Sequence, residues 1–167
     1  KKIINIINRK NFILGKDVDK FESSFSKLSK IKYSVGCASG TDALILALKS
    51  LNLKKSDEVI VPAMTYISTG LSVLLNNNKL IYADIDSNTG LISIDDIIKK
   101  ITKKTKAIIP VNLYGQKVDL KKLRSRIGSK IFIVEDSAQS HFAFSCFNCP
   151  NKDKKKCCQK ERNDHYA

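Results

Sequence analysis

Short runs of apolar β-formers punctuate this chain and alternate with stretches of helical periodicity, until the pattern stops near His141. Glu58-Val59-Ile60-Val61 stops at Pro62. Lys79 to Ile85 ends in the turn Asp86-Ser87-Asn88-Thr89-Gly90, and Lys106 to Val111 and Ile131 to Glu135 continue the series. Tyr33-Ser34-Val35-Gly36 reads as a further short strand near the front. The spacing predicts helices over Asp17 to Leu28, with Val18, Phe21, Phe25 and Leu28 on one face, and over Gly40 to Leu51, capped by Ser39. Further helices are expected over Thr65 to Leu75, Ile94 to Ile101 and Asp119 to Ile127, the last closed by Gly128. Strands joined through helices of this length run parallel, because each crossover returns the chain to the same end of the sheet. The expected fold class is therefore α/β, in three layers around a mostly parallel sheet.

Composition narrows the class further. A chain of 167 residues, 43% apolar and 28% charged, can bury a core and is ordinary for a globular protein. No apolar run approaches the ~18 residues that span a bilayer, so no membrane partner is expected. Asn5, Asn8 and Arg9 interrupt the apolar start, which argues against a signal peptide; the missing initiator Met suggests a chain that begins inside a longer protein. The formal net charge of +14 raises the question of a nucleic-acid partner. The lysines are spread over the whole length without interleaved aromatics, which favours a solvated surface. Cys37 stands alone in an apolar stretch and is expected to be buried, while Cys146, Cys149, Cys157 and Cys158 all lie near the C-terminus. Disulfides across the body are thereby excluded, and a cytoplasmic location is expected.

Open parallel sheets bind ligands outside the carboxyl ends of their strands, so the residues after each strand carry the functional argument. Asp136 follows Ile131-Phe132-Ile133-Val134-Glu135, where a carboxylate needs a cation or a protonated nitrogen to offset burial. Gln139 follows it and offers an amide to a ligand hydroxyl. Ser39-Gly40-Thr41-Asp42 opens a helix whose backbone N–H groups suit a phosphate, and the same residues suit a plain cap. Tyr66 offers a face to a planar ring or, alternatively, a core aromatic. Asn112-Leu113-Tyr114-Gly115 reaches the same edge, or is simply turn chemistry. Neither nucleotide fingerprint, G-x-x-x-x-G-K-[ST] or G-x-G-x-x-G, is present, which sets aside Asp136 as the magnesium-holding acid of a phosphate-loop enzyme.

Five separated segments, in this order, resemble one family. Phe12-Ile13-Leu14-Gly15 with Phe21-Glu22, then Ser39-Gly40-Thr41-Asp42-Ala43-Leu44, Asp57-Glu58-Val59-Ile60-Val61-Pro62-Ala63, Thr105-Lys106-Ala107-Ile108-Ile109-Pro110-Val111 and Glu135-Asp136-Ser137-Ala138-Gln139 are similar to the DegT/DnrJ/EryC1/StrS sugar aminotransferases. The resemblance covers roughly residues 10 to 141. It implies the large domain of fold type I aminotransferases, incomplete at the C-terminus, and the cofactor pyridoxal 5′-phosphate. By resemblance, Gly40 and Thr41 hold the cofactor phosphate, Tyr66 stacks on the pyridine ring, Asp136 keeps the ring nitrogen protonated, and Gln139 bonds the ring hydroxyl. The implied reaction moves an amino group from glutamate to a nucleotide-linked keto-sugar, with a homodimer as the family's assembly.

The departures are specific. Asn112 stands where family members often carry His, and Phe142 where they usually carry Gly. The family's Schiff-base lysine lies later, in a Ser-Phe-x-x-x-Lys context that nothing from Ala143 to Ala167 matches. No catalytic residue is therefore assigned; Lys152, Lys154, Lys155, Lys156 and Lys160 sit in a polar stretch without a preceding strand. Residues 1–141 read as a partial cofactor-binding large domain and residues 142–167 as a Cys- and Lys-rich divergent tail, poorly ordered by composition. The tail's Cys146-x-x-Cys149 and Cys157-Cys158 invite a zinc reading, but adjacent cysteines make a poor ligand pair, and no metal is assigned. Two alternatives stand beside the enzyme: a degenerate, non-catalytic fragment, and a basic zinc-stabilised nucleic-acid-binding protein.

Overall fold

A computed structural model describes residues 2–10 and 13–143. The chain divides into two compact units that part between Cys37 and Ala38. The four tail cysteines and tail lysines lie outside the described residues.

The first unit carries two helices, α1 (Lys2–Asn8) and α2 (Lys16–Ser29). Asp17 and Asp19 sit in the first turn of α2 and Lys27 in its last, each placed to complement the helix dipole. The helix ends at Lys30, which takes a left-handed conformation at φ 55°, so that the Ile31 N–H reaches back to the Ser26 carbonyl. The expected strand Tyr33–Gly36 does not form. Its polar groups are taken up by α2 instead: Ser34 Oγ donates to the Glu22 carbonyl at 2.6 Å, and the Gly36 N–H donates to Glu22 Oε1. A β-prone run without a partner strand has no ladder to join. Cys37, expected to be buried, is exposed.

The second unit holds α3 (Gly40–Ser50), β1 (Glu58–Pro62), α4 (Ile67–Leu75), β2 (Lys79–Ala83), α5 (Ile94–Lys100), β3 (Thr105–Ile108), α6 (Leu120–Ile127) and β4 (Phe132–Ile133). All strand pairs are parallel, in the order β2-β1-β3-β4. Val59, Ile60, Val61, Ala107, Ile108 and Ile109 are buried at the centre of the sheet, as expected for strands covered on both faces. The α4 crossover leaves β1 toward β2, whereas the α5 and α6 crossovers run the opposite way. With right-handed connections, α4 must cover one face and α5 and α6 the other. The packing agrees: α3 lies on α4, and α5 lies against α6. Leu48 and Val73 seal one face of the core, Ile97 and Leu123 the other. The second unit is thus three-layered, as the sequence led one to expect.

The helix boundaries follow from caps. Ser39 Oγ accepts the Asp42 N–H, Ser93 Oγ the Asp96 N–H, and Asp119 Oδ1 the Lys122 N–H. Helix α4 begins at Ile67 rather than Thr65, with Tyr66 still extended as its N-cap. Several strands are shorter than their apolar runs. Beyond β3 and β4 the ladder continues as a parallel bridge between Val111 and Asp136, while a separate antiparallel bridge joins Ile85 to Ile92 across the turn that follows β2.

The amino end of the sheet is fastened separately. Glu58, buried at the start of β1, accepts hydrogen bonds from Thr102 and Thr105 and pairs with Lys79 Nζ at 3.1 Å. These bonds, led by the Thr102 hydroxyl, hold the Glu58 carboxyl below its ordinary value despite the opposing cost of burial.

Candidate functional site

Neighbouring strands β1 and β3 send their following connections to opposite faces of the sheet. Their carboxyl ends therefore flank a crevice, the position where open α/β sheets bind ligands. The residues singled out from the sequence lie on the loops around this end of the sheet, in two groups.

The first group stands beside β1. Thr41 is in the first turn of α3, and its Oγ1 lies 2.8 Å from Ser68 Oγ in the first turn of α4. Two helix N-termini thus meet just after β1, and their dipoles both present positive ends there. The N–H groups of Gly40 and Thr41 have no partner among the described residues. No heavy atom lies within 4 Å of the place a Cβ on Gly40 would occupy, so the helix start is open to a ligand. Asp42 is turned back into the cap, with Ser39 Oγ donating to its Oδ2 at 3.0 Å. Tyr66 is 72% exposed, so the core-aromatic reading does not hold.

The second group stands beyond β3 and β4. The Asp136 main chain is clamped: its N–H donates to the Pro110 carbonyl at 3.0 Å, and its carbonyl accepts the Asn112 N–H at 2.9 Å. Its carboxylate is only partly buried. Oδ1 accepts the Ala138 N–H at 3.1 Å, and Oδ2 has no partner among the described residues. Gln139 Oε1 accepts the Tyr114 N–H at 3.0 Å, and the Gln139 carbonyl accepts the Gly115 N–H. A backbone N–H can only donate, so this contact fixes the amide orientation and leaves the Gln139 NH₂ group as an available donor. Asn112 lies at this end of the sheet beside Asp136, but its side chain is not available there. It is wholly buried, and its side chain is spent on Glu135, Ser137 and the Val118 N–H.

The loop after β2 closes the remaining side. The N–H groups of Thr89 and Asn88 hold the Asp86 carboxylate, which keeps its carboxyl below the ordinary value. Gln116 Nε2 donates to the Thr89 carbonyl at 3.0 Å, and a Cβ on Gly90 would come 3.1 Å from Met64 Cε. Loops following β1, β2 and β3 are therefore in register with one another. No hydrogen bond among the described residues joins the Thr41 group directly to the Asp136 group.

Sequence reasoning missed Ser68, Glu135 and Lys117. Ser68 left no distinguishing signal, because Thr69 and Ser72 of the same helix are polar and buried as well. Glu135 and Lys117 pair at 3.4 Å across two loops, which no local pattern reveals.

The arrangement offers unpartnered N–H donors, an open glycine, an exposed aromatic, a free carboxylate oxygen and an oriented amide. This donor set fits a planar, phosphorylated, nitrogen-containing ring. The chain is 38% identical over 157 residues to a UDP-2-acetamido-2-deoxy-3-oxo-D-glucuronate aminotransferase of Pseudomonas aeruginosa, covering 93% of this chain and 42% of that protein. It is 40% identical over 134 residues to a dTDP-3-amino-3,6-dideoxy-alpha-D-galactopyranose transaminase of Aneurinibacillus thermoaerophilus, covering 79% and 37% respectively. Among solved structures, it is similar to an E. coli GDP-4-keto-6-deoxy-D-mannose-3-dehydratase with bound hydrated PLP. That similarity has a TM-score of 0.82 at 32% identity, over 88% of this chain and 40% of the other. The chain thus spans about two fifths of the length of these proteins. The model of the DegT/DnrJ/EryC1/StrS aminotransferase family matches residues 1–145, and the chain belongs to that family.

Proposed function

We propose that the chain is the N-terminal part of a pyridoxal-phosphate-dependent enzyme that moves an amino group from glutamate to a keto carbon of a nucleotide-linked sugar. Residues 1–141 belong to its cofactor-binding large domain, residues 142–167 are a divergent tail, and the whole enzyme works as a cytoplasmic homodimer. The bound ring supplies an electron sink, provided its nitrogen stays protonated. Asp136 would keep that proton in place, with Oδ2 as its oxygen left without a partner among the described residues. Gly40 and Thr41 would hold the phosphate through their N–H groups and the Thr41 hydroxyl, and Tyr66 would stack on the ring. Gln139 donates to the ring hydroxyl, because its acceptor oxygen is already committed to Tyr114.

The supporting observation is that the start of α3, beside β1, carries unpartnered N–H groups and the loop after β4 an unpartnered carboxylate oxygen, both at the carboxyl end of the sheet. The amino-transfer reading rests on relatives whose names are those of sugar aminotransferases and transaminases. Lys117 follows β3, but its ammonium is turned to Glu135. The chain by itself then has cofactor contacts without the lysine that would move the proton.

Titration of the 167-residue chain with pyridoxal phosphate and with pyridoxal tests the reading. Saturable binding of the phosphorylated form, at least ~10-fold tighter, is expected from the α3 cradle. Equal binding of the two would remove Gly40 and Thr41 from the site. In the same preparation, glutamate and a nucleotide-linked keto-sugar should give no turnover above that of free cofactor.

A further inference from the structure

Asn112 is wholly buried, and every polar atom of its side chain is engaged. Oδ1 accepts the Val118 N–H at 2.8 Å. Nδ2 donates to the Glu135 carboxylate and, at 3.1 Å, to Ser137 Oγ. These two acceptors are the residues immediately before and after Asp136. Ser137 Oγ in turn donates to Glu135 Oε1 at 3.0 Å, and Lys117 Nζ lies 3.4 Å from that oxygen and offsets its charge. The main chain completes the brace, with the Asn112 N–H on the Asp136 carbonyl and the Asp136 N–H on the Pro110 carbonyl.

The brace matters because Asp136 has little else to aim it. The carboxylate is partly exposed and, among the described residues, accepts one hydrogen bond, from the N–H two residues along its own loop. The bridge to Val111 holds the Asp136 main chain, whereas the direction of its side chain depends on the loop residues on either side. A charge-assisted bond depends on direction and distance, and a carboxylate on a loose loop would lose both.

We propose that Asn112 is the positioning residue for Asp136, gripping both of its sequence neighbours so that the free carboxylate oxygen keeps a fixed aim into the crevice. Asn112 does not touch the ligand. The inference rests on the cofactor reading above, in which Asp136 pairs with the ring nitrogen. It makes the amide at position 112 a functional requirement of the site rather than a feature of the turn.

A double-mutant cycle on the full chain separates these roles. Pyridoxal phosphate is titrated into the parent, Asn112→Ala, Asp136→Ala and the double variant, with folding of each verified by circular dichroism. Asn112→Ala should weaken binding roughly 10-fold, the order expected when an orienting outer partner is removed. In the Asp136→Ala background the same change should cost less than about 2-fold, because nothing remains to be aimed. A brace serving stability alone would give the same loss in both backgrounds and would overturn the proposal, as would unchanged binding by Asn112→Ala. If Asp136→Ala binds as well as the parent, or the parent does not bind, the cofactor reading itself fails and the positioning role falls with it. Should Asn112→Ala not fold, Ser137→Ala takes its place in the cycle. Its loss of about 3-fold should likewise vanish in the Asp136→Ala background, and persistence there would overturn the proposal.

Discussion

Thr41 Oγ1 and Ser68 Oγ lie 2.8 Å apart, joining the first turn of α3 to the first turn of α4. One hydroxyl must donate to the other, so only one proton of the pair remains for a ligand. Ser68 is buried, and Thr41→Val would leave its hydroxyl without this partner. Thr41→Val should therefore destabilise the fold by about 1 kcal/mol and also weaken pyridoxal phosphate binding. Ser68→Ala should reproduce the weaker binding at lower strength. Urea midpoints and titrations of both variants check this; loss of stability without any change in binding would make the pair purely structural.

Gln139 gives a sharper contrast. Its Oε1 accepts the Tyr114 N–H, and a glutamate at 139 would preserve that contact while replacing the donor with an anion. If the role is to hold the Tyr114 turn, Gln139→Glu should bind cofactor like the parent. If the amide donates to the ring hydroxyl, Gln139→Glu should weaken binding by about 10-fold or more, the size of a lost hydrogen bond plus like-charge repulsion. Calorimetric titration of this one variant distinguishes the two roles.

Much of this architecture was legible in the chain. The runs at Glu58–Val61 and Ile131–Val134 gave strands at the right places, and Ser39, Ser93 and Gly128 marked helix ends that the structure keeps. What failed was whatever depends on a partner distant in sequence. Tyr33–Gly36 has strand composition, but it has no partner strand, and Glu22 takes the Ser34 hydroxyl and the Gly36 N–H. Asn112 looked like turn chemistry or an edge donor, whereas it is consumed by Glu135 and Ser137 from the next loop. Cys37 sits among apolar residues in sequence, yet is exposed. Local patterning thus located the strands, and long-range hydrogen bonds decided which side chains beyond them remain available.

The amino end of the sheet predicts an acid response. Glu58 titrates below its ordinary value of 4.5 in the folded chain, chiefly because the Thr102 hydroxyl bonds its charged form. A depressed folded value adds stability that is complete above about pH 4.5 and is lost as pH falls through the lower folded value. Glu58→Gln should cost about 1.5 kcal/mol at pH 7 and show a shallower loss of stability below pH 4.5 than the parent. Urea unfolding at pH 7 and at two values below 4.5 measures the difference; parallel slopes would remove Glu58 as the cause.

Gly90 closes the Asp86 turn at φ +72°, a conformation that L side chains rarely adopt. A Cβ there would also press on the flexible end of Met64, 3.1 Å away. Gly90→Ala should cost about 1–2 kcal/mol, most of it from the backbone, since the Met64 methyl can move aside. Adding Met64→Ala should recover little of that loss. Substantial recovery would show that the contact, rather than the backbone conformation, requires glycine.

The central claim is that Asp136 meets the ring nitrogen of a bound cofactor, and Asp42 supplies the internal control. Both aspartates follow the ends of apolar segments, but Asp42 is folded back onto Ser39 while Asp136 Oδ2 is left unpartnered. Pyridoxal phosphate titrated into Asp136→Ala and Asp42→Ala compares them directly. Asp136→Ala should lose about 1.5–3 kcal/mol of binding, roughly 10- to 100-fold in affinity, and Asp42→Ala should stay close to the parent. Equal affinities for the two variants would contradict the assignment of Asp136 and the account of the site built on it.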